Sequence, residues 1–141
     1  MVKYNISNWV IRQLSLVASS MGIYRFEKLR VYQDALLLVE NIYQLTKKIP
    51  IEERFALIDQ LKRSSTSIVL NIAEGTGSKG DVEFKKFLRI ALKSFYETIA
   101  GLKIAEKLFK VNIEKSLEIS DKVGKELNAL IKSLNQQATN D

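Results

Sequence analysis

Apolar residues recur every three to four positions through most of the chain, which is the pattern of amphipathic helices. Four such runs predict helices over about residues 26–48, 51–74, 82–110 and 113–135. Pro50 separates the first two runs, and Gly75 and Gly77 separate the second from the third. Because the runs are long and their connections short, the pattern predicts an all-α protein, an antiparallel up-down-up-down four-helix bundle.

This reading divides the chain into three parts. Residues 23–135 form the bundle, and residues 136–141 are expected to be a frayed tail. Residues 1–22 are either an N-terminal extension or a short helix. Arg12 and Gln13 interrupt their apolar run, so we do not expect a signal peptide. No stretch approaches the roughly 18 consecutive apolar residues of a membrane span.

The first predicted helix has an unusually wide apolar side of about 200°. A surface helix usually buries a stripe nearer about 100° wide. Two interpretations stay open: the helix meets another subunit as well as the core, or it is a central helix with several neighbours. The apolar residues are Leu29, Val31, Tyr32, Ala35, Leu36, Leu38, Val39, Ile42, Tyr43 and Leu45.

The second and third predicted helices have recognisable ends. The second is expected to begin near Ile51 and to include Phe55 in its apolar stripe. Gly75 is placed for a left-handed C-terminal cap. Asp81 can cap the third helix, and Glu83 adds negative charge to its first turn.

A row of polar residues runs beside the apolar stripe of the second helix at spacings of three and four. Its members are Gln60, Arg63, Ser64, Ser67, Asn71 and Glu74. Ser94 and Glu97 of the third helix are expected to face Asn71 and Ser67. The row is either a hydrogen-bonded layer that fixes helix register or a catalytic site using Glu74 and Glu97. We favour the structural interpretation because no nucleophile with an adjacent base accompanies the carboxylates.

The chain has no cysteine and no histidine. Disulfides, the usual zinc sites, thiol catalysis and imidazole acid–base chemistry are therefore excluded. We expect no cofactor, no metal, no catalytic residue and no small-molecule substrate. The absence of cysteine is compatible with a cytoplasmic protein.

The formal net charge of +6 raises the question of an acidic partner. Six cations of the third helix lie within an arc of about 100° that also holds Tyr96 and Ala100 but no acid. They are Lys85, Lys86, Arg89, Lys93, Lys103 and Lys107. These cations can follow a phosphate backbone, with Tyr96 stacking on a base and Arg63 assisting. The alternative is a solvated face neutralised by acids of neighbouring helices.

Several motifs together resemble a known family. They are F-x-x-L-x-V-Y-Q-x-A at residues 26–35, Q-L-K-R-S-S-x-S-I-x-x-N-I-A-E-G at 60–75 and E-F-x-x-F-L-x-I-A-x-x-S-x-x-E at 83–97. This pattern resembles the four-helix-bundle proteins encoded in intervening sequences of bacterial 23S rRNA genes. The accessory variability protein of diversity-generating retroelements is similar to the same family. The resemblance covers residues 24–110 well and the last helix weakly.

The resemblance implies a four-helix bundle that assembles into a pentameric ring. The intervening-sequence branch has no established activity, whereas the retroelement branch binds a reverse transcriptase and nucleic acid through a basic surface. The matching motif positions look structural: Asn71, Glu74, Gly75, Ser94 and Glu97. We therefore expect a non-enzymatic, cytoplasmic homo-oligomer, with a pentamer favoured, that binds RNA or a ribonucleoprotein and no membrane. The alternative is a scaffold whose basic face meets an acidic protein.

Overall fold

The computed structural model describes residues 24–137. Its four α-helices are α1 (Arg30–Thr46), α2 (Leu57–Thr76), α3 (Asp81–Phe109) and α4 (Glu114–Gln137). Short 3-10 helices, Arg25–Lys28 and Ile51–Glu53, precede α1 and α2. No strand occurs in residues 24–137, so the predicted all-α four-helix bundle is confirmed. The interpretations of residues 1–22 and of the end of the tail lie outside the described residues.

One apolar core joins the four helices. Helices α2 and α4 each pack against both α1 and α3. The core takes its side chains from the predicted apolar stripes, and burying one of them stabilises the fold by about 1.5–3 kcal/mol. The largest fully buried side chains are Leu29, Val31, Leu38, Ile42, Leu61, Ile68, Ile72, Leu88, Leu102, Val123, Leu127 and Leu130.

The connection before α2 differs from the prediction. Helix α2 begins at Leu57 rather than near Ile51, because the backbone at Ala56 (φ −121°, ψ −104°) is not helical. The periodicity of α2 therefore does not extend back to Phe55. Phe55 was predicted to lie in the core, but it is 83% exposed, with the Arg54 guanidinium 4.7 Å from its ring centroid.

The predicted left-handed cap at Gly75 is wrong. Gly75 lies within α2 and is buried, and Gly77 caps the helix with right-handed backbone (φ −85°). A Cβ atom on Gly75 would lie 2.7 Å from Phe84 Cδ2 and 3.0 Å from Phe87 Cβ. Gly75 is thus a packing position, where α2 closely approaches the start of α3.

The cap of α3 is also shifted by one residue. Gly80 occupies the N-cap position with a positive φ of 113°, and Asp81 is the first residue of α3. Glu83 lies in the first turn as predicted, and its Oε2 accepts a hydrogen bond from the Lys79 backbone N–H at 3.0 Å. The residue with positive φ in this loop is therefore Gly80, at the end of the loop, and not Gly75, where the left-handed cap was predicted.

Candidate nucleic-acid interface

Helix α3 is an unbroken helix of 29 residues, anchored to the core along one side. Phe84, Leu88, Ala91, Phe95 and Leu102 are buried on that side. The opposite side must face outward because the helical period is fixed. Five of the six predicted cations are exposed and Lys85 is half-buried; the five are Lys86, Arg89, Lys93, Lys103 and Lys107.

Most of these cations have no ion-pair partner among residues 24–137. Lys85 Nζ donates a hydrogen bond to Asn135 Oδ1 of α4 at 2.9 Å. Lys103 Nζ lies 3.5 Å from Glu106 Oε2 on its own helix. The remaining four form no ion pair with any residue from 24 to 137, so neighbouring helices do not neutralise them there. These four unpaired cations are Lys86, Arg89, Lys93 and Lys107.

The cations are spread unevenly along the helix axis. Lys103 comes ten positions after Lys93, which corresponds to about 15 Å of helix. On the outer face, this interval holds Tyr96 and Ala100, and both are exposed. Glu97 is exposed as well, but it lies outside the arc of the cations on the side of α2, where it accepts a hydrogen bond from Gln60. We call the part of this interval inside the arc the uncharged window. A polyanion lying along α3 would meet cations on both sides of the window but none inside it.

Apolar side chains also lie on the outward side of α3. Tyr96 is 59% exposed, and its ring meets that of buried Phe95 edge-on at 5.3 Å between centroids. Tyr96 was predicted from the sequence, but four further exposed side chains were not. Their positions outside the buried stripe of α3 were the available signal. They are Val82, Ile90, Ile104 and Leu108.

Arg63, the predicted helper, belongs to α2. Its Nη1 lies 3.8 Å from Asp59 Oδ2 on the same helix, and both side chains are exposed. Arg63 therefore differs from the unpaired cations of α3, since it has a carboxylate of its own.

The polar row of α2 forms a seam against α3. Ser67 Oγ and Ser94 Oγ lie 2.8 Å apart, as the predicted facing of these residues requires. Thr98 Oγ1 lies 2.9 Å from Ser64 Oγ and 2.9 Å from the Ser94 carbonyl oxygen. Thr98 is fully buried and was missed, although its position four residues after Ser94 places it on the same side of α3. Neutral hydroxyl groups therefore connect the two helices at the centre of the seam.

Other predicted seam residues have different partners. Gln60 Nε2 donates to Glu97 Oε1 at 2.7 Å, so Glu97 meets Gln60 rather than Asn71 or Ser67. Asn71 Nδ2 donates to the Ser67 carbonyl oxygen at 2.8 Å on its own helix. Glu74 is exposed, one residue before the position of α2 that meets Phe84 and Phe87.

The carboxylates of Glu74 and Glu97 are not brought together. Since α2 and α3 run in opposite directions, Glu74 lies level with Phe87 of α3. Glu97 is ten residues further along, or about 15 Å. A catalytic pair of these two carboxylates has no support in this geometry. Within residues 24–137, no cluster of three or more potential metal-ligating side chains occurs.

A second pair of carboxyl groups lies between α1 and α4. Glu126 of α4 is half-buried beside Asp34 of α1. Burial raises the pKa of Glu126 to about 8, and Asp34 adds to this, while Arg30 and Lys122 oppose it. Glu126 Oε2 is buried without a hydrogen-bond partner among residues 24–137. Two carboxyl groups can share a hydrogen bond only when one of them carries a proton.

Comparison with known proteins identifies relatives of the chain. The family model of the 23S rRNA-intervening sequence protein matches residues 27–135. A solved structure of a protein of unknown function from the S23 ribosomal protein family of Bacteroides thetaiotaomicron is also similar. Its sequence is 30% identical, the match covers 72% of this chain and 98% of that chain, and the TM-score is 0.64. No curated protein matches the chain. Within residues 24–137, no helix has the length and apolar character needed to cross a bilayer.

Proposed function

The chain belongs to the 23S rRNA-intervening sequence protein family, and from this premise we propose that it is a cytoplasmic, oligomeric protein that binds RNA through the outer face of α3. It acts by binding alone, without a cofactor. The observation that carries the proposal is the set of four unpaired cations on α3: Lys86, Arg89, Lys93 and Lys107. Two further cations add to this set: Lys85, next to Lys86, and Lys103, between Lys93 and Lys107.

The four unpaired cations are available to bind a polyanionic ligand, because they form no ion pair within residues 24–137 that binding would have to break. Each phosphate that they neutralise releases condensed counterions, so affinity depends steeply on salt. With four to six phosphate contacts, affinity should fall roughly a hundredfold between about 50 and 200 mM salt. Removing one cation should weaken binding by a similar factor for all RNA sequences, because phosphate contacts carry no sequence information.

The test is fluorescence anisotropy of a labelled RNA of mixed sequence over a salt series. The variant Lys86→Glu/Arg89→Glu/Lys93→Glu is compared with the wild type. Its matched control, Lys48→Glu/Lys115→Glu/Lys125→Glu, changes three exposed lysines elsewhere. Both variants lower the formal net charge from +6 to zero. Circular dichroism and light scattering establish that all three proteins have the same helix content and mass.

We expect the α3 variant to lose salt-dependent binding and the control to keep most of it. Equal weakening of both variants would assign binding to net charge and refute the role of α3. No binding by the wild type at low salt would refute the RNA function. An acidic protein partner would then be the better explanation, and mixed-sequence RNA would not displace such a partner.

The proposed oligomer involves the apolar side of α1 and α2. Leu36 and Tyr43 of α1 are 48% and 41% exposed, and Leu70 of α2 is 57% exposed. Helix α1 does pack against α2 and α4, yet these side chains remain in water. The interpretation of α1 as a central helix therefore does not account for them. Burial against another copy would remove them from water. A pentamer, the count that the family resemblance favours, would have a mass of about 80 kDa by light scattering, five times 16.1 kDa.

A further inference from the structure

The uncharged window distinguishes the outer face of α3 from a uniform row of cations. The window between Lys93 and Lys103 covers about 15 Å, the rise of about four stacked nucleotides. Nucleotides crossing the window meet Tyr96 and Ala100 instead of a cation. Their phosphates gain nothing there, so any attraction in this interval must come from contact with the bases.

Tyr96 is placed to provide such a contact. More than half of its side chain is exposed, while the edge-on contact with Phe95 supports the ring from the core side. Phe95 itself is fixed, because it packs so closely on α4 that a Cβ on Gly124 would lie 2.7 Å from Phe95 Cζ. The aromatic ring is therefore held by packing as well as being open to a ligand.

The other exposed apolar residues of α3 extend this surface along the helix. By the helical period, Val82 and Ile104 lie within the arc of the cations, and Ile90 and Leu108 lie about 40° outside it. Their exposed fractions range from 46% to 66%. Cations and apolar side chains thus alternate along a helix of about 43 Å.

Duplex RNA would gain little from this combination of cations and exposed apolar side chains. Its bases are stacked inside, and the major groove of duplex RNA is too deep and narrow for side chains to read. The apolar residues would then lie against phosphates and water. An unpaired strand presents both its phosphates and the flat faces of its bases, and base–aromatic stacking tolerates any sequence.

We infer that the outer face of α3 binds unpaired rather than duplex RNA, with phosphates on the two cation groups and a base stacked on Tyr96; this inference rests on the proposed RNA-binding function. Tyr96 contributes the preference for single strands, and the cations contribute the salt dependence. The two contributions can be separated by mutation.

The test uses fluorescence anisotropy with a labelled single-stranded RNA of mixed sequence, long enough to span α3, and with the same strand annealed to its complement. The variants are Tyr96→Ala and Tyr96→Phe. Phe55→Ala is the matched control, because Phe55 is an exposed aromatic residue at the connection before α2. A single-stranded DNA of the same sequence shows whether the ribose hydroxyl contributes.

We expect the wild type to bind the single strand at least about tenfold more tightly than the duplex. Tyr96→Ala should lose about tenfold for the single strand, within the range of base–aromatic stacking, with its salt dependence and duplex affinity unchanged. Tyr96→Phe keeps the aromatic face and should bind like the wild type, as should Phe55→Ala.

Two outcomes would overturn the inference while leaving the proposed function intact. One is equal affinity for single strand and duplex. The other is a single-strand affinity that Tyr96→Ala does not change. In both, salt-dependent RNA binding through the α3 cations would remain. Absence of binding to every nucleic acid would overturn both proposals together.

Discussion

Stability of this bundle should fall as the pH rises, because of Glu126. The folded chain holds the pKa of Glu126 at about 8, compared with an ordinary value of 4.5. Between these values the folded chain keeps a proton that the unfolded chain has released. The free energy of unfolding therefore decreases as the pH rises from about 4.5 to about 8. Above that range Glu126 is charged in both states, and the free energy of unfolding does not decrease further.

Glu126→Gln removes this cost, since glutamine is neutral at every pH and its amide can donate to Asp34. Without screening, the pKa difference corresponds to about 5 kcal/mol. The carboxyl group is only half-buried, and Arg30 and Lys122 lie nearby, so screening by solvent reduces the expected effect to about 1–2 kcal/mol. We expect Glu126→Gln to stabilise the protein by this amount near pH 9, and to change little near pH 5.

The assay is urea unfolding followed by circular dichroism at fixed protein concentration, repeated over this pH range. Glu118→Gln is the control, because Glu118 is exposed on α4 beside Lys115 and should show no gain at high pH. A difference between Glu126→Gln and the wild type that is the same at both ends of the pH range would refute the reasoning. Destabilisation near pH 9 would refute it as well.

Two further predictions concern the packing and the assembly of the bundle. Gly75→Ala should destabilise the fold by about 1–2 kcal/mol, since the overlap with Phe84 and Phe87 outweighs the gain of about 1 kcal/mol in helix propensity. Gly77→Ala, whose Cβ would have no contact closer than 3.4 Å, should change the urea midpoint little. Leu36→Lys/Tyr43→Lys should lower the mass measured by light scattering to that of smaller species, with helix content retained; an unchanged mass would show that α1 is not in the interface.

The helices and the core could be predicted because both follow from local periodicity. Leu38, Ile42 and Leu45 repeat at three- and four-residue spacing, and any packed arrangement of α1 must bury that side. The contact between Ser67 and Ser94 could also be predicted. A polar row that is buried without hydrogen-bond partners costs free energy, so the polar rows of two neighbouring helices are expected to face each other. In each instance the spacing along one helix is enough to decide which side faces inward.

The errors arose where something other than the period of a single helix decides the outcome. Gly75 stands where a helix cap is expected from the sequence, but it lies within α2, and its small size is required by Phe84 and Phe87 on the next helix. Phe55 fits the apolar period of α2, but α2 begins only at Leu57, because the backbone at Ala56 is not helical. Glu126 looks like an ordinary outer residue of α4 until α1 is placed beside it. None of these features is a property of the local sequence alone.

On α3, the groups that hold the fold together are largely separate from those proposed to bind RNA. Hydroxyl groups of Ser94 and Thr98 join α3 to α2 on the inner side, and neither carries charge. The unpaired cations on the outer side make no ion pair that the fold would lose within residues 24–137. Lys85 is the exception, because its hydrogen bond to Asn135 links α3 to α4. Charge reversal at Lys86, Arg89 and Lys93 should therefore leave the fold intact, so a loss of RNA binding in that variant can be assigned to the missing phosphate contacts.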